Sequence, residues 1–337
     1  VALKRAKERC LEAAMKYFVM GALASGMLLY GFSLLFGFAH SMDLTAIASA
    51  LSVVPSSHSL LIVFAMIFVI AGVVFKLGAV PFHLWVPDVY DGAPNSVTLF
   101  LSSAPKLAAF VLLARLIAQA FGHYVYLWHE VLLTIALLSI ALGNLSAVVQ
   151  TNIKRMLAYS SVAHIGYMLL GFSVASARGY SAAMFYIIAY VLMSVASFGL
   201  LTAISRRGVE VTEIKDLCGI SERNPWVSFM MLLILFSLAG VPPMVGFIAK
   251  IGILEALIQA KLVWVAVLAI AFSIIGAYYY IRVIKVMYFE PANKSVSPNL
   301  FYCASEGHLA ITLTGLAVLL LGIFPGVLFN LCRTIFN

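Results

Sequence analysis

The chain has 337 residues, 64% of them hydrophobic and 10% charged, with a formal net charge of +8 and a mean hydropathy of +1.07. A water-soluble domain carries roughly a quarter charged residues. The composition therefore excludes an ordinary soluble enzyme and makes the positive charge a matter of placement rather than of nucleic-acid binding.

The apolar residues fall into blocks long enough to cross a hydrocarbon core of ~30 Å as helices. They are Leu11–Ala39, Leu60–Val86, Ser96–Phe121, Val131–Val149, Met156–Val174, Ser181–Ile204, Trp226–Ala260, Val263–Val286 and His308–Leu331. They predict one all-α membrane domain of about nine transmembrane helices, two of them discontinuous. The alternating segments of ~10 residues that a β-barrel needs are absent. The chain begins with Val and shows no signal peptide, so it reads as amino-terminally truncated.

In the first block, Glu12 and Lys16 stand at i and i+4, the spacing of an ion pair on one helix face; the pair reads equally as a surface pair. The second block runs into "FKLGAVPFHLWVPDVYDGAP", Phe75–Pro94, which puts Lys76, Pro81 and His83 in and just beyond an apolar helix. Proline removes a backbone donor and clashes with the turn before it. In hydrocarbon, a helix broken in this way is expected where it lines a polar cavity. His83, two turns past Lys76, is either a proton relay or a histidine satisfied by backbone. Asp88 and Asp91 flank Tyr90 beyond the break and read as capping or loop residues.

Lys106, in "SVTLFLSSAPKLAAFVLLARL", lies near the middle of its block, too deep to snorkel. It is a protonatable group on an ion path or a lysine bonded to carbonyls. A lysine at mid-membrane costs ~2.5–3.5 kcal/mol on insertion scales and points by default to function. His164, in "SSVAHIGYM", has Ser160, Ser161 and Tyr167 nearby to hold water beside it. Ser205–Trp226 is the longest polar connection, a solvated loop or a partner contact. The block Trp226–Ala260 is broken by "AGVPP" at Ala239–Pro243 and carries Lys250, with Glu255 as a possible counter-charge. Two interrupted spans, each with a lysine, are the strongest pointer to a transport site. Glu290–Asn299 is a turn region.

With Val1 on face A, thirteen basic residues fall on that face: Lys4, Arg5, Lys7, Arg9, Lys154, Arg155, Arg206, Arg207, Lys215, Arg223, Arg282, Lys285 and Lys294. Face B receives four, Arg115, Arg178, Lys261 and Arg333; Lys16, Lys76, Lys106 and Lys250 lie within spans. The asymmetry makes face A cytoplasmic, with the amino end inside and the carboxyl end outside. Cys10, Cys218, Cys303 and Cys332 show no metal or redox spacing and read as packing residues. No phosphate loop, dinucleotide fingerprint or nucleophile elbow is present. Without such a motif, proton movement must be driven by another gradient or by a partner.

Phe75–Leu116, "GNLSAVVQTNIKRMLAYSSVAHIGYMLLG" and "SLAGVPPMVGFIAKIGILEA" resemble the antiporter-like membrane subunits of proton-pumping NADH:quinone oxidoreductase, respiratory complex I. The resemblance covers essentially the whole chain and is closest to the subunit N branch. Related antiporter subunits tend to carry a histidine where this chain has Lys106. The resemblance implies an antiporter-like inverted-repeat fold around a hydrophilic axis. On that reading, 1–121 is the remainder of the first repeat, 122–290 the second repeat and 291–337 a C-terminal helix. Lys76 and Lys250 would be the broken-helix lysines and Lys106 the connecting lysine, with His83, Glu12 and Lys16 matching further positions and His164 weaker. Such subunits have further helices ahead of Leu11, one bearing the glutamate that partners Lys76, so the first repeat is expected to lack its first helices. The implied cofactors, NADH, FMN, iron–sulfur clusters and quinone, would sit in partner subunits and none in this chain. The implied partners are adjacent antiporter-like and small membrane subunits and the lipid of a bacterial inner membrane, with no nucleic acid. The competing readings are a multisubunit cation/proton antiporter, a non-pumping scaffold and a membrane-bound hydrogenase arm.

Overall fold

A computed structural model describes residues 8–53, 59–205, 210–291 and 305–336; Lys4, Arg5, Lys7, Arg206, Arg207, Lys294 and Cys303 lie outside the described residues. The helices are α1 (Glu8–Ala39), α2 (Leu44–Ser52), α3 (Ser59–Leu77), α4 (Trp85–Gly92), α5 (Asn95–Arg115), α6 (Val125–Val148), α7 (Ile153–Ser173) and α8 (Ala177–Ile204). They continue as α9 (Ile220–Arg223), α10 (Pro225–Ala239), α11 (Val245–Gln259), α12 (Val263–Phe289), α13 (Ser305–Ile323) and α14 (Gly326–Phe336). Among the described residues the only extended pairing is a single bridge, Asn152 with Glu213.

Among the described residues, seven helical runs are long and apolar enough to cross a membrane: those containing α1, α3, α5, α6, α8, α12 and α13. The expectation of about nine differs at α7 and at the α10–α11 pair. α7 carries Lys154, Arg155, three serines and His164, and it is buried on nearly every side. A helix enclosed by protein need not be apolar toward lipid, so composition understates it. The α10–α11 pair is divided, so neither half is long enough alone. The block His308–Leu331 is likewise two helices, parted ahead of Gly326. α14 folds back on α8, with Phe329 against Phe185 (ring centroids 5.5 Å) and Phe336 against Tyr180 (5.7 Å). The described part of the Ser205–Trp226 connection, residues 210–226, is not simply a solvated loop: Val211, Leu217 and Ile220 are fully buried.

Both expected breaks are present. After α3, Gly78 adopts a left-handed φ of 77° and the chain turns until α4 begins at Trp85. Its backbone is satisfied from outside: Val80 N–H donates to Ser139 Oγ (3.0 Å), and the Trp85 indole donates to the Phe75 carbonyl (3.2 Å). After α10, Gly240 takes φ 86° and its N–H bonds the carbonyls of Phe236 and Ser237. Gly246 N–H then bonds Ser237 Oγ at 3.1 Å. Here the two half-helices nearly touch: a Cβ on Gly246 would lie 1.9 Å from the Ser237 carbonyl oxygen.

Asp88 and Asp91 are not caps, because the N-cap of α4 is Leu84 and makes no side-chain capping bond. Asp88 instead accepts from Lys16 of α1 (2.7 Å) and Arg155 of α7 (2.8 Å), and Lys16 also pairs with Glu12 (2.6 Å) as the spacing predicts. Asp91 accepts from Asn152 (2.8 Å), whose side chain also caps α7. A salt-bridge ladder at face A thus pins the detached half-helix α4 between the first and second halves of the chain. Lys154 is drawn fully inside, donating to the Ala93 carbonyl (2.7 Å) and pairing with Glu210 (3.3 Å). Arg178 and Glu255 pair at the opposite end (2.5 Å).

Replacing Gly246 with Ala forces the α10–α11 contact apart, at a cost on the order of 1–3 kcal/mol. The purified protein should lose thermal stability, whereas Gly37→Ala, where a Cβ meets nothing within 4 Å, should not. Burial pushes the Asp88 carboxyl up, but its hydrogen bonds from Lys16 and Arg155 outweigh that and hold it below its usual range. Its stabilisation is then complete above the unfolded value of about 3.9 and lost as pH falls through the lower folded value. Asp88→Asn should reduce stability by on the order of 1 kcal/mol at pH 7, a difference that shrinks on acidification below pH ~4 in melting curves. A gap independent of pH would contradict the ladder's role.

Candidate functional site

The polar interior is organised by α7. Its residues Ser160, Ser161, His164 and Tyr167 point at three different neighbours, α5, α8 and α12. On the α5 side, Lys106 is fully buried and donates to Ser161 Oγ (2.7 Å) and the Tyr190 hydroxyl (3.4 Å). Its ammonium stands 5.2 Å from the centre of the Tyr190 ring and 5.7 Å from that of Tyr90, close enough for cation–π attraction. Ser102 and Ser194, which bond each other at 2.8 Å, add hydroxyls to the same α5–α8 interface.

On the α11 side, Lys250 reaches back across the second break. It donates to the carbonyls of Ala239 (2.8 Å) and Leu238 (3.5 Å), the last turn of α10, and to Ser273 Oγ (2.8 Å). Helix C-termini carry about half a negative charge and unpaired carbonyls, so the break itself supplies the acceptors for the ammonium. Gly240 is required twice here, by its left-handed φ and because a Cβ would sit 2.9 Å from Lys250 Cδ. A cavity of about 320 Å³, lined by Lys250, Ser273, Tyr167 and Gly240, opens beside this group.

Between the two lysines lies His164. Nδ1 shares a hydrogen bond with the Tyr186 hydroxyl (2.7 Å) and Nε2 one with Tyr280 (3.2 Å); Tyr280 in turn bonds Ser160. The rings of Tyr190 and His164 are 5.4 Å apart, which brings the histidine against the Lys106 group. Toward Lys250 the sequence continues through Tyr186 and Tyr167, with ring centroids 6.0 Å apart, and Lys250 lies 5.5 Å from the Tyr167 ring. Lys106, His164 and Lys250 therefore share one continuous buried polar cluster.

Several sequence expectations are corrected. Lys76 is not buried: it is exposed on the chain's flank and lines a cavity of about 590 Å³ with Tyr17, Trp85 and Pro105. It forms no hydrogen bond or ion pair with the described residues. His83 does not share a helix face with Lys76, because residues 78–84 are turns, and its buried Nδ1 has no partner among the described residues. Glu255 is not the counter-charge of Lys250. Five residues turn a helical side chain by about 140°, and Glu255 points outward to Arg178. Glu12 and Lys16 belong to the face A ladder, away from the buried cluster. The hydroxyls near His164 are committed elsewhere in part: Ser161 to Lys106, and Tyr167 to the Ala269 carbonyl at 2.7 Å. Tyr186, Tyr190, Tyr280 and Ser273 were not singled out from sequence. Tyr186, Tyr190 and Ser194 recur every four residues along α8, a polar stripe in an apolar helix that marks an inward face.

Residues 1–276 match the family model described as NADH:quinone oxidoreductase/Mrp antiporter, TM. NADH-quinone oxidoreductase subunit N of Coxiella burnetii is 58% identical over 336 residues, which is 100% of this chain and 69% of that protein. A chain of respiratory complex I from Thermus thermophilus with bound aureothin superposes with a TM-score of 0.82 at 33% identity, over 98% of this chain and 70% of that one. A chain of the Mrp complex from Dietzia shares the fold, with a TM-score of 0.85 at 22% identity over 97% of this chain and 67% of that one. The chain thus belongs to the antiporter-like transmembrane family of NADH:quinone oxidoreductase, in its subunit N branch.

Proposed function

We propose that this chain is a proton-translocating membrane-arm subunit of NADH:quinone oxidoreductase, moving protons along the Lys106–His164–Lys250 cluster while quinone is reduced elsewhere in the complex. One observation carries the reading: the two ammonium groups of this cluster, on Lys106 and Lys250, are each bonded to a serine hydroxyl and, among the described residues, to no carboxylate. A carboxylate would fix the proton on the lysine. A hydroxyl accepts from an ammonium and, after rotating, donates to the neutral amine. The site is thus able to hold either protonation state without leaving a buried group unpaired. His164 bridges the two lysines because its neutral ring has one donor and one acceptor nitrogen, each already facing a tyrosine hydroxyl.

In this reading the chain spans the membrane nine times, counting α7 and the divided pairs α3–α4 and α10–α11 once each, with α14 lying at face B. Face A is the cytoplasmic side of a bacterial inner membrane. Arg9, Arg155, Lys215, Arg282 and Lys285 lie at one end of the molecule, and Arg178 lies at the other. Lys76, open on the flank, is the group through which a neighbouring helix or subunit would engage the first half. Glu12, Lys16 and Asp88 act as positioning residues for α4. The flavin, clusters and quinone belong to partner subunits, and this chain binds none of them.

Lys106→Ala should lower NADH-driven proton translocation in membrane vesicles by tenfold or more, with the complex still assembled. Full pumping in that variant would remove Lys106 from the path. Sodium-dependent proton flux that persists without NADH would favour the antiporter reading instead.

A further inference from the structure

Of the two aromatic rings over Lys106, one belongs to a continuous helix and the other does not. Tyr190 sits within α8, whereas Tyr90 rides on α4, the half-helix detached from α3 by the turns at 78–84. The position of Tyr90 is therefore set by what grips α4. Asp88 and Asp91, on either side of it in sequence, are held by Lys16, Arg155 and Asn152. Gly92 lets the half-helix press on α1, since a Cβ there would lie 2.5 Å from that of Ala13. Thr98 Oγ1 of α5 donates to the Tyr90 carbonyl (3.3 Å), and Lys154 Nζ to that of Ala93 (2.7 Å). The Tyr90 ring itself packs edge-to-face with Phe198 of α8, with centroids 5.6 Å apart.

The Tyr90 side chain is fully buried, and its hydroxyl adjoins Ser161 without a hydrogen bond to any described residue. An unpaired buried hydroxyl stabilises nothing. What this position offers Lys106 is the negative face of a ring, 5.7 Å from the ammonium. The other groups that face Lys106 are Ser161 and His164 from α7 and Tyr190 from α8. Lys76 of α3 lines a cavity with Pro105 and Ala109, on another face of α5. With no carboxylate among these groups, the rings supply a fixed negative potential, and a cation–π contact is strongest where water is excluded. Resting on the reading above, we infer that Tyr90 is a positioning residue that ties the salt-bridge ladder at face A to Lys106. The ladder places α4, α4 places the ring, and the ring sets how firmly the ammonium is held. A displacement of α4 that opens the ladder therefore weakens the Lys106 site without touching the lysine.

The test uses the assembled complex in membrane vesicles and follows NADH-driven proton translocation as a function of pH. Tyr90 is replaced by phenylalanine and, through nonsense suppression, by trifluorophenylalanine. Both keep the ring's bulk, so folding is not at stake, but fluorination strips the negative face. The trifluoro ring should move the pH profile by about half a pH unit or more, and Tyr90→Phe should restore it. An unmoved profile with the trifluoro ring overturns the proposal. So does a Tyr90→Phe profile displaced as far as the trifluoro one, because the hydroxyl would then be the acting group. Asp88→Ala should displace the profile when Tyr90 is present and add nothing when the trifluoro ring is in place. Equal displacements in the two backgrounds overturn the link between ladder and ring. If Lys106→Ala pumps fully, the lysine cluster fails and this link with it; if only the Tyr90 results fail, the cluster stands.

Discussion

The interaction on which the rest of this interior depends is the bond between the Lys250 ammonium and the last carbonyls of α10. Two liabilities meet there. Burying an unpaired ammonium costs several kcal/mol, and leaving helix carbonyls unpaired in an apolar region costs several more. Each is the remedy for the other. The helix must break where the lysine arrives, and the residue at the break must be glycine, both for its backbone and to let the lysine stem pass. α11 can then lie so close to α10 that Gly246 tolerates no side chain. The paired prolines, the glycines and the lysine of this segment are therefore one device rather than separate features.

The other two lysines solve the same problem differently. Lys106 sits within the continuous helix α5, just after Pro105, and is bonded to no carbonyl of that helix. Its partners are hydroxyls and aromatic faces donated by α7 and α8, so it depends on tertiary packing where Lys250 depends on a helix end. Lys76 lies in the last turn of its own helix, where the dipole favours a cation, but it faces outward over an open cavity. The first half of the chain is thus held by its salt-bridge ladder at face A and left open at mid-depth. The second half is closed at mid-depth.

Much of this was legible in the sequence, for identifiable reasons. Long apolar blocks give helices because hydrocarbon permits no other backbone except a closed barrel, and "AGVPP" and "GAVP" give breaks because proline and left-handed glycine cannot continue a helix. The Glu12–Lys16 pair follows from helical spacing, and Lys106 and Lys250 announce themselves as charges at mid-membrane depth. What was not legible depends on which way a side chain turns once helices pack. Glu255 was matched to Lys250 by proximity in sequence, but helical rotation sends it to Arg178. Asp88 looked like a cap because it follows a break, yet its partners are 72 and 67 residues away. Lys154 sits among apparent surface charges and is enclosed because Glu210 and Ala93 converge on it from other segments. The tyrosines were hidden by frequency: among 15 in the chain, only packing shows which ones face His164.

The arrangement also explains why α7 lacks the apolar character of its neighbours. A span in contact with lipid keeps its polar groups on one face, but α7 must serve α5, α8 and α12 at once, so its polar residues are spread around its circumference. Ser161 turns to Lys106, Ser160 to Tyr280, and His164 to tyrosines on both α8 and α12. On the proposed function, the same distribution would let protons move with little motion of heavy atoms. The ammonium groups are anchored to carbonyls and rings on rigid helices, and what rotates are hydroxyls and, in tautomer, one imidazole. On that proposal, coupling to a partner would need only to shift which neighbour each hydroxyl faces, because small turns of hydroxyl groups within a fixed cluster would redirect the proton.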